Sequence, residues 1–63
     1  MTLRTYGQNL SEGTYKIVRD RHGWCLFYRR EYNTFRIEFR HERDAVDAGR
    51  KVEQIFGLRE DRP

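Results

Sequence analysis

Cysteine, histidine, clustered glycine and long apolar runs are all scarce in this chain, and each scarcity removes a class of function. A single cysteine, Cys25, leaves no partner for an intramolecular disulfide and no set of thiolates for a zinc cage. A reducing compartment is the expectation. No stretch approaches the ~20 apolar residues needed to cross a bilayer. Met1 is not followed by a cationic segment and an apolar run, so a cytoplasmic protein with no membrane partner is expected. Gly7, Gly13, Gly23, Gly49 and Gly57 are scattered and form no phosphate-cradling loop, and there is no internal repeat, low-complexity tract or linker. His22 lies near Cys25, yet no Asp or Asn is placed to complete a nucleophilic arrangement. His41, Glu42 and Asp44 read as an acidic helix start in preference to a metal site. Catalysis, cofactors and metal are therefore not expected.

What remains is 63 residues, 37% hydrophobic and 37% charged. At this size one domain forms at most, and folding buries only ~60% of the surface of the unfolded chain. Nine aromatic residues, four Phe, four Tyr and one Trp, offset the thin core, because each can bury ~150–250 Å². A small but real fold is the consequence.

Three runs alternate apolar and polar side chains in one phase: Tyr15 and Ile17; Trp24, Leu26 and Tyr28; Phe35, Ile37 and Phe39. Spacing of two puts such residues on one face of a sheet. Strands are predicted over 14–19, 24–29 and 34–40. Asp20 to Gly23 and Arg30 to Asn33 serve as turns, with Gly23 able to take a positive φ and Asn33 at the left-handed position. Four-residue turns set Ile17 opposite Leu26, Tyr15 opposite Tyr28, Leu26 opposite Ile37, Tyr28 opposite Phe35 and Trp24 opposite Phe39. Both hairpins then send every large apolar residue to the same face, and a slip of one residue would pair core with charge.

After Arg40 the period becomes helical. Ala45, Val46, Gly49, Val52, Ile55 and Phe56 recur at spacings of three and four. Glu42, Asp44 and Asp47 lie at or near the helix start, where the dipole favours anions. Gly57 suits the C′ position with Leu58 folding back on the last turn. A glycine inside a helix costs ~1 kcal/mol relative to alanine, so Gly49 implies close approach to a bulky ring, with Trp24 the expected one. The whole is an α+β module, a three-stranded antiparallel β-meander packed against one C-terminal α-helix (β-β-β-α). Residues 1–13 form a partly ordered arm, 14–58 the domain and 59–63 a frayed tail.

The function expected from this pattern is binding. Net charge is +3, and residues 14–43 hold eight basic groups against four acidic, a net of +4, while residues 44–63 net −1. Eleven of the thirteen basic residues are arginine, whose planar fork matches phosphate and carboxylate. Lys16, Arg29, Arg36 and Arg40 would project from the face opposite the core beside Phe27, giving phosphate contacts and a flat ring for stacking. Nucleic acid, DNA before RNA, is thus the first expected partner. The order of three strands and one packed helix over residues 14–56 is similar in topology to the arm-binding domains of phage-type integrases and to plant AP2-type DNA-binding domains. That resemblance implies DNA binding; no motif is matched and no residue role carries over. The bland alternative is a solvated face on which Glu38 pairs with its arginines and Leu3 or Leu10 half covers Phe27. The second function expected is a protein-interaction module, either a phage or mobile-element inhibitor docking on an acidic protein surface or a homodimer formed through the sheet.

Overall fold

A computed structural model describes residues 10–61 and contains a four-stranded sheet and one helix: β1 (Thr14–Asp20), β2 (Gly23–Arg30), β3 (Asn33–Phe39), α1 (Glu42–Phe56) and β4 (Arg59–Glu60). Strand order is β3-β2-β1-β4. The expected meander is present with its register: Tyr15 faces Tyr28, Ile17 faces Leu26, and Leu26, Tyr28 and Trp24 face Ile37, Phe35 and Phe39. The alternation works because one pleat face buries its side chains beneath α1, so any other register would desolvate charge.

The turns are tighter than their composition implies. Pairing runs on to Asp20 opposite Gly23 and to Arg30 opposite Asn33, leaving two-residue connections. The left-handed residue of the second turn is Glu31, at φ 57°, and not Asn33, because Asn33 is already a strand residue paired with Arg30. The carbonyl of Glu31 accepts a hydrogen bond from Arg29 Nε at 3.1 Å, which ties the turn down.

Helix α1 starts after an extended His41 with Glu42 and Asp44 in its first turn. It ends at Gly57, whose φ of 71° is left-handed and whose N–H donates to Glu53 O at 2.9 Å. Ala45, Gly49 and Val52 are its buried positions. The ring against Gly49 is that of Tyr15, not Trp24. A Cβ on Gly49 would lie 2.8 Å from Tyr15 Cε2 and 3.3 Å from Ile17 Cδ1. Tyr15 is held there by its hydroxyl, which donates to Glu53 Oε2 at 2.6 Å one helical turn further on. Tyr15, Leu26, Val52 and Leu58 form the main core, with Ile17, Tyr28, Phe39 and Ala48 around it. Ile55 departs from the helical reading, since it is 70% exposed.

The tail is a further correction. Arg59 and Glu60, expected to fray, pair parallel with Thr14 and Tyr15, and the N–H groups of Arg59 and Asp61 donate to Gly13 O and Tyr15 O. The left-handed Gly57 turns the chain back along β1, and burial of Leu58 holds it there. The remainder of that expected tail, residues 62 and 63, lies outside the described residues, as do positions 1–9 of the arm with Leu3.

Candidate interaction surfaces

Among the described residues two surfaces are candidates for a functional role, one on each face of the sheet. On the face away from α1, the strand registers put Lys16, Phe27 and Arg36 side by side in one row across β1, β2 and β3. Arg29 lies one pleat along β2 from that row, and Arg40 lies beyond the end of β3. The predicted cluster is thus brought together only in part, and its centre is not open. Phe27 is 6% exposed, packed with Leu10, Cys25 and Val18 in a second small core. It therefore offers no ring for a base, which corrects the expectation of stacking. Covering by Leu10, the bland alternative, is what the geometry shows.

Arg29 explains how Leu10 reaches this place. Its Nη1 donates to Leu10 O at 2.9 Å while its Nε holds Glu31 O, so one planar fork clamps the arm to the second turn. Thr14 Oγ1 adds a 2.6 Å hydrogen bond to Ser11 O at the base of the arm. The guanidinium of Arg29 is committed to these carbonyls.

Arg36 sits in a charge network. It forms an ion pair with Glu38 on its own strand and lies 3.5 Å from Asp20 Oδ2. Its guanidinium also lies 6.0 Å from the centre of the Phe27 ring. Asp20 accepts from His22 N–H at 2.9 Å through Oδ1 and from the Cys25 thiol at 2.9 Å through Oδ2. Burial, and then donation to Asp20, pushes the Cys25 thiol up to about 11. The thiol hydrogen bond, followed by that from His22, holds the Asp20 carboxyl below its usual range. The Glu38 contact chiefly raises the Arg36 guanidinium further. Asp20, Cys25 and Glu38 have ligand atoms within 4.8 Å of one another, and in this arrangement the Cys25 thiol donates to Asp20 while Arg36 pairs with both carboxylates.

Lys16 is half-buried and Arg40 is exposed. Arg40 borders a shallow open cleft of about 170 Å³ lined also by Asp20, His22, Trp24, Glu38 and Phe39. That is smaller than the ~300–1,000 Å³ that encloses a small-molecule ligand, and its charges are mixed.

On the interaction reading the interface is expected at Phe27, Val18, Cys25 and Tyr32, and of these only Tyr32 belongs to the other surface, since Phe27 and Cys25 are buried. On the face shared with α1 the helix covers the apolar side chains of β3 only in part, and others at its own C-terminal end and in the turn preceding β3 are exposed. Phe35 and Ile37 are 40% and 39% exposed, Phe56 is partly uncovered, and Ile55 and Tyr32 stand out to solvent. Tyr28 joins part of this group, stacking on Phe35 at 4.9 Å and on Phe56 at 5.9 Å, with the Arg30 guanidinium 4.0 Å over the Phe56 ring. The cause is geometric: α1 lies over β1 and β2, where Tyr15 and Leu26 are buried, and β3 extends past it. The signal present in the sequence was an apolar run on the last strand of the meander, which must be an edge unless something follows it in the sheet.

Comparison with models of protein families, with curated proteins and with solved structures found no match for this chain.

Proposed function

We propose that this chain is a non-catalytic protein-interaction module whose working surface is the edge strand β3 together with the C-terminal end of α1. The observation that carries the reading is the set of large apolar side chains incompletely covered there, Phe35, Ile37 and Phe56 partly exposed and Ile55 largely so, with Tyr32 exposed in the turn that precedes β3. A chain this small gains stability from every apolar side chain it buries, so leaving Ile55 and Tyr32 exposed and Phe35, Ile37 and Phe56 only partly covered is costly unless a partner covers them. β3 contributes the second half of the argument. Among the described residues it hydrogen-bonds to β2 alone along its whole length, whereas on the opposite side of the sheet β4 pairs with the first two residues of β1, Thr14 and Tyr15. A seven-residue strand with one open edge is a template for strand addition, with backbone bonds supplying affinity and side chains supplying selection. A small inhibitor of a larger assembly would act through the same surface.

The test is co-purification of partners with the tagged chain and with two variants. Ile55→Glu should abolish a specific association, and because Ile55 is already in water its substitution leaves the fold intact. Lys16→Ala with Arg40→Ala should leave that association unchanged. The reverse pattern overturns the reading.

Nucleic acid is the second reading, favoured by the +4 balance of residues 14–43 and by the exposed Arg40. Its weight is reduced because Phe27 is covered and Arg29 and Arg36 are engaged within the chain. Titration with short duplex and single-stranded nucleic acid at two salt concentrations decides it. Phosphate binding weakens steeply with salt and again in Arg40→Ala, and no binding at low salt removes this reading.

A further inference from the structure

The sequence of β3 around Ile37 reads Phe35, Arg36, Ile37, Glu38, Phe39. It is symmetric in polarity and antisymmetric in charge about its centre. In antiparallel pairing of a strand with a copy of itself about residue 37, each residue stands opposite the one equally far on the other side. Ile37 then meets Ile37, Phe35 meets Phe39, and Arg36 meets Glu38, with the last two contacts each made twice. All apolar pairs fall on the α1 face and all charged pairs on the other. We propose, resting on the protein-interaction reading above, that the partner covering this edge is a second copy of the chain, joined β3 to β3 in this register so that the two four-stranded sheets become one.

Backbone phase selects the same register. Arg30 and Asn33 close a two-residue turn, so that pair exchanges its hydrogen bonds, as does each second pair after it: Tyr28 with Phe35, Leu26 with Ile37, and Trp24 with Phe39. The N–H and C=O groups of Thr34, Arg36 and Glu38 accordingly point away from β2, toward the open edge. Pairing about Ile37 brings Arg36 and Glu38, which face outward, opposite each other as a hydrogen-bonded pair, and makes Ile37 with Ile37 the close, non-bonded pair. Pairing about Arg36 or Glu38 preserves the backbone phase but sets Arg36 against Arg36 or Glu38 against Glu38. Pairing centred between two residues sets an outward group against an inward one and makes no ladder. In-register parallel pairing aligns like charges throughout. Ile37 is the centre that meets the backbone, charge and burial requirements together.

The exposed residues fit this occupant. Phe35 and Ile37 are partly exposed because among the described residues no strand lies beyond β3, and a symmetric copy would supply Phe39 and Ile37 there. Arg36 and Glu38 already pair within one chain, so across the symmetric edge the four charges would alternate in sign. Such alternation also penalises strands of other sequence that would add to this edge, which is how natural sheets keep open edges selective.

The experiment is molar mass in solution over a concentration series up to ~1 mM, where even weak self-association is populated, together with disulfide trapping. The wild-type chain is expected to shift to twice its mass with rising concentration. Ile37→Cys, at the two-fold axis, is expected to form a covalent dimer under oxidised glutathione, because Cα atoms of a close antiparallel pair lie ~4.5 Å apart, within disulfide reach. Thr34→Cys is expected not to, since six residues of stagger separate the two copies by ~20 Å. Cys25 is buried at 2% exposure and should not compete. Glu38→Arg should weaken self-association by ~10-fold or more, because a like pair then occurs twice. Mixing it with Arg36→Glu should restore association that neither variant shows alone. If Arg36→Glu does not fold, the trapping pair decides without it. A monomer at every concentration, or trapping no faster at position 37 than at 34, overturns the proposal. If that happens while Ile55→Glu still loses its co-purifying partner, the interaction reading stands with a different partner; if both fail, both readings fall.

Discussion

At the scale of single residues, the most informative contacts are those of Gly49 and Cys25. Gly49→Ala would add ~1 kcal/mol of helix propensity, yet its Cβ would lie 2.8 Å from a ring that is pinned at its far end by Glu53. Overpacking of this kind costs ~1–3 kcal/mol, so the net effect is a loss of ~1 kcal/mol and a fall in Tm of ~4–8 °C. Thermal unfolding followed by circular dichroism checks it, and a rise in Tm would show that the ring moves aside. Cys25 gives a pH prediction. Its folded pKa of about 11 lies above the ordinary 9.0, so folding favours the neutral thiol. The contribution is intact below pH 9.0 and is lost as pH climbs toward about 11, whereas that of Asp20, whose pKa is lowered from 3.8, is lost at the acidic end. Cys25→Ala should flatten the decline of Tm above pH 9.0. At pH 8 the native thiol should alkylate ~100-fold more slowly than in the unfolded chain, on thiolate fraction alone.

At the scale of elements, the three long strands and the helix were legible because each buries one face, and period two or period 3.6 records that in the sequence. Ile17 opposite Leu26 and Leu26 opposite Ile37 followed from requiring both hairpins to fill the same core. β4 was not legible, since two residues, Arg59 and Glu60, carry no period and are held by backbone bonds to Gly13 and Tyr15. The basic cluster was half legible: alternation placed Lys16 and Arg36 on one face, but it could not show that Leu10 caps Phe27 or that Arg29 reaches back to Leu10 O. Those contacts join the arm to the sheet across long sequence separations. Turn chemistry pointed to Asn33 and missed Glu31, a residue poorly suited to φ 57°. Left-handed backbone costs ~1–2 kcal/mol for such a residue, and glycine gives back ~0.5–1 kcal/mol of that through its unfolded-state entropy. Glu31→Gly should therefore raise stability by up to ~1 kcal/mol, seen as a Tm several degrees higher with an unchanged circular dichroism spectrum.

At the scale of the whole molecule, the sheet is covered at its centre on both faces, by α1 on one and by Leu10 on the other, and this decides which surfaces are left for partners. A chain of this length has a total stability of only ~3–9 kcal/mol. The second core of Leu10, Cys25, Phe27 and Val18 is small but holds a substantial share of it. Leu10→Ala should cost ~2 kcal/mol and lower Tm by ~8–16 °C. It should also speed alkylation of Cys25, because the side chain that shields the thiol is shortened, while the register of β1, β2 and β3 beneath α1 is retained. An unchanged Tm with an unchanged labelling rate would mean that the arm does not hold this face closed, and Phe27 would return as an aromatic available between Lys16 and Arg36. The same variant thus bears on function: if Leu10→Ala creates salt-sensitive nucleic-acid binding that the native chain lacks, the arm is the element that assigns the basic face to structure and leaves recognition to β3.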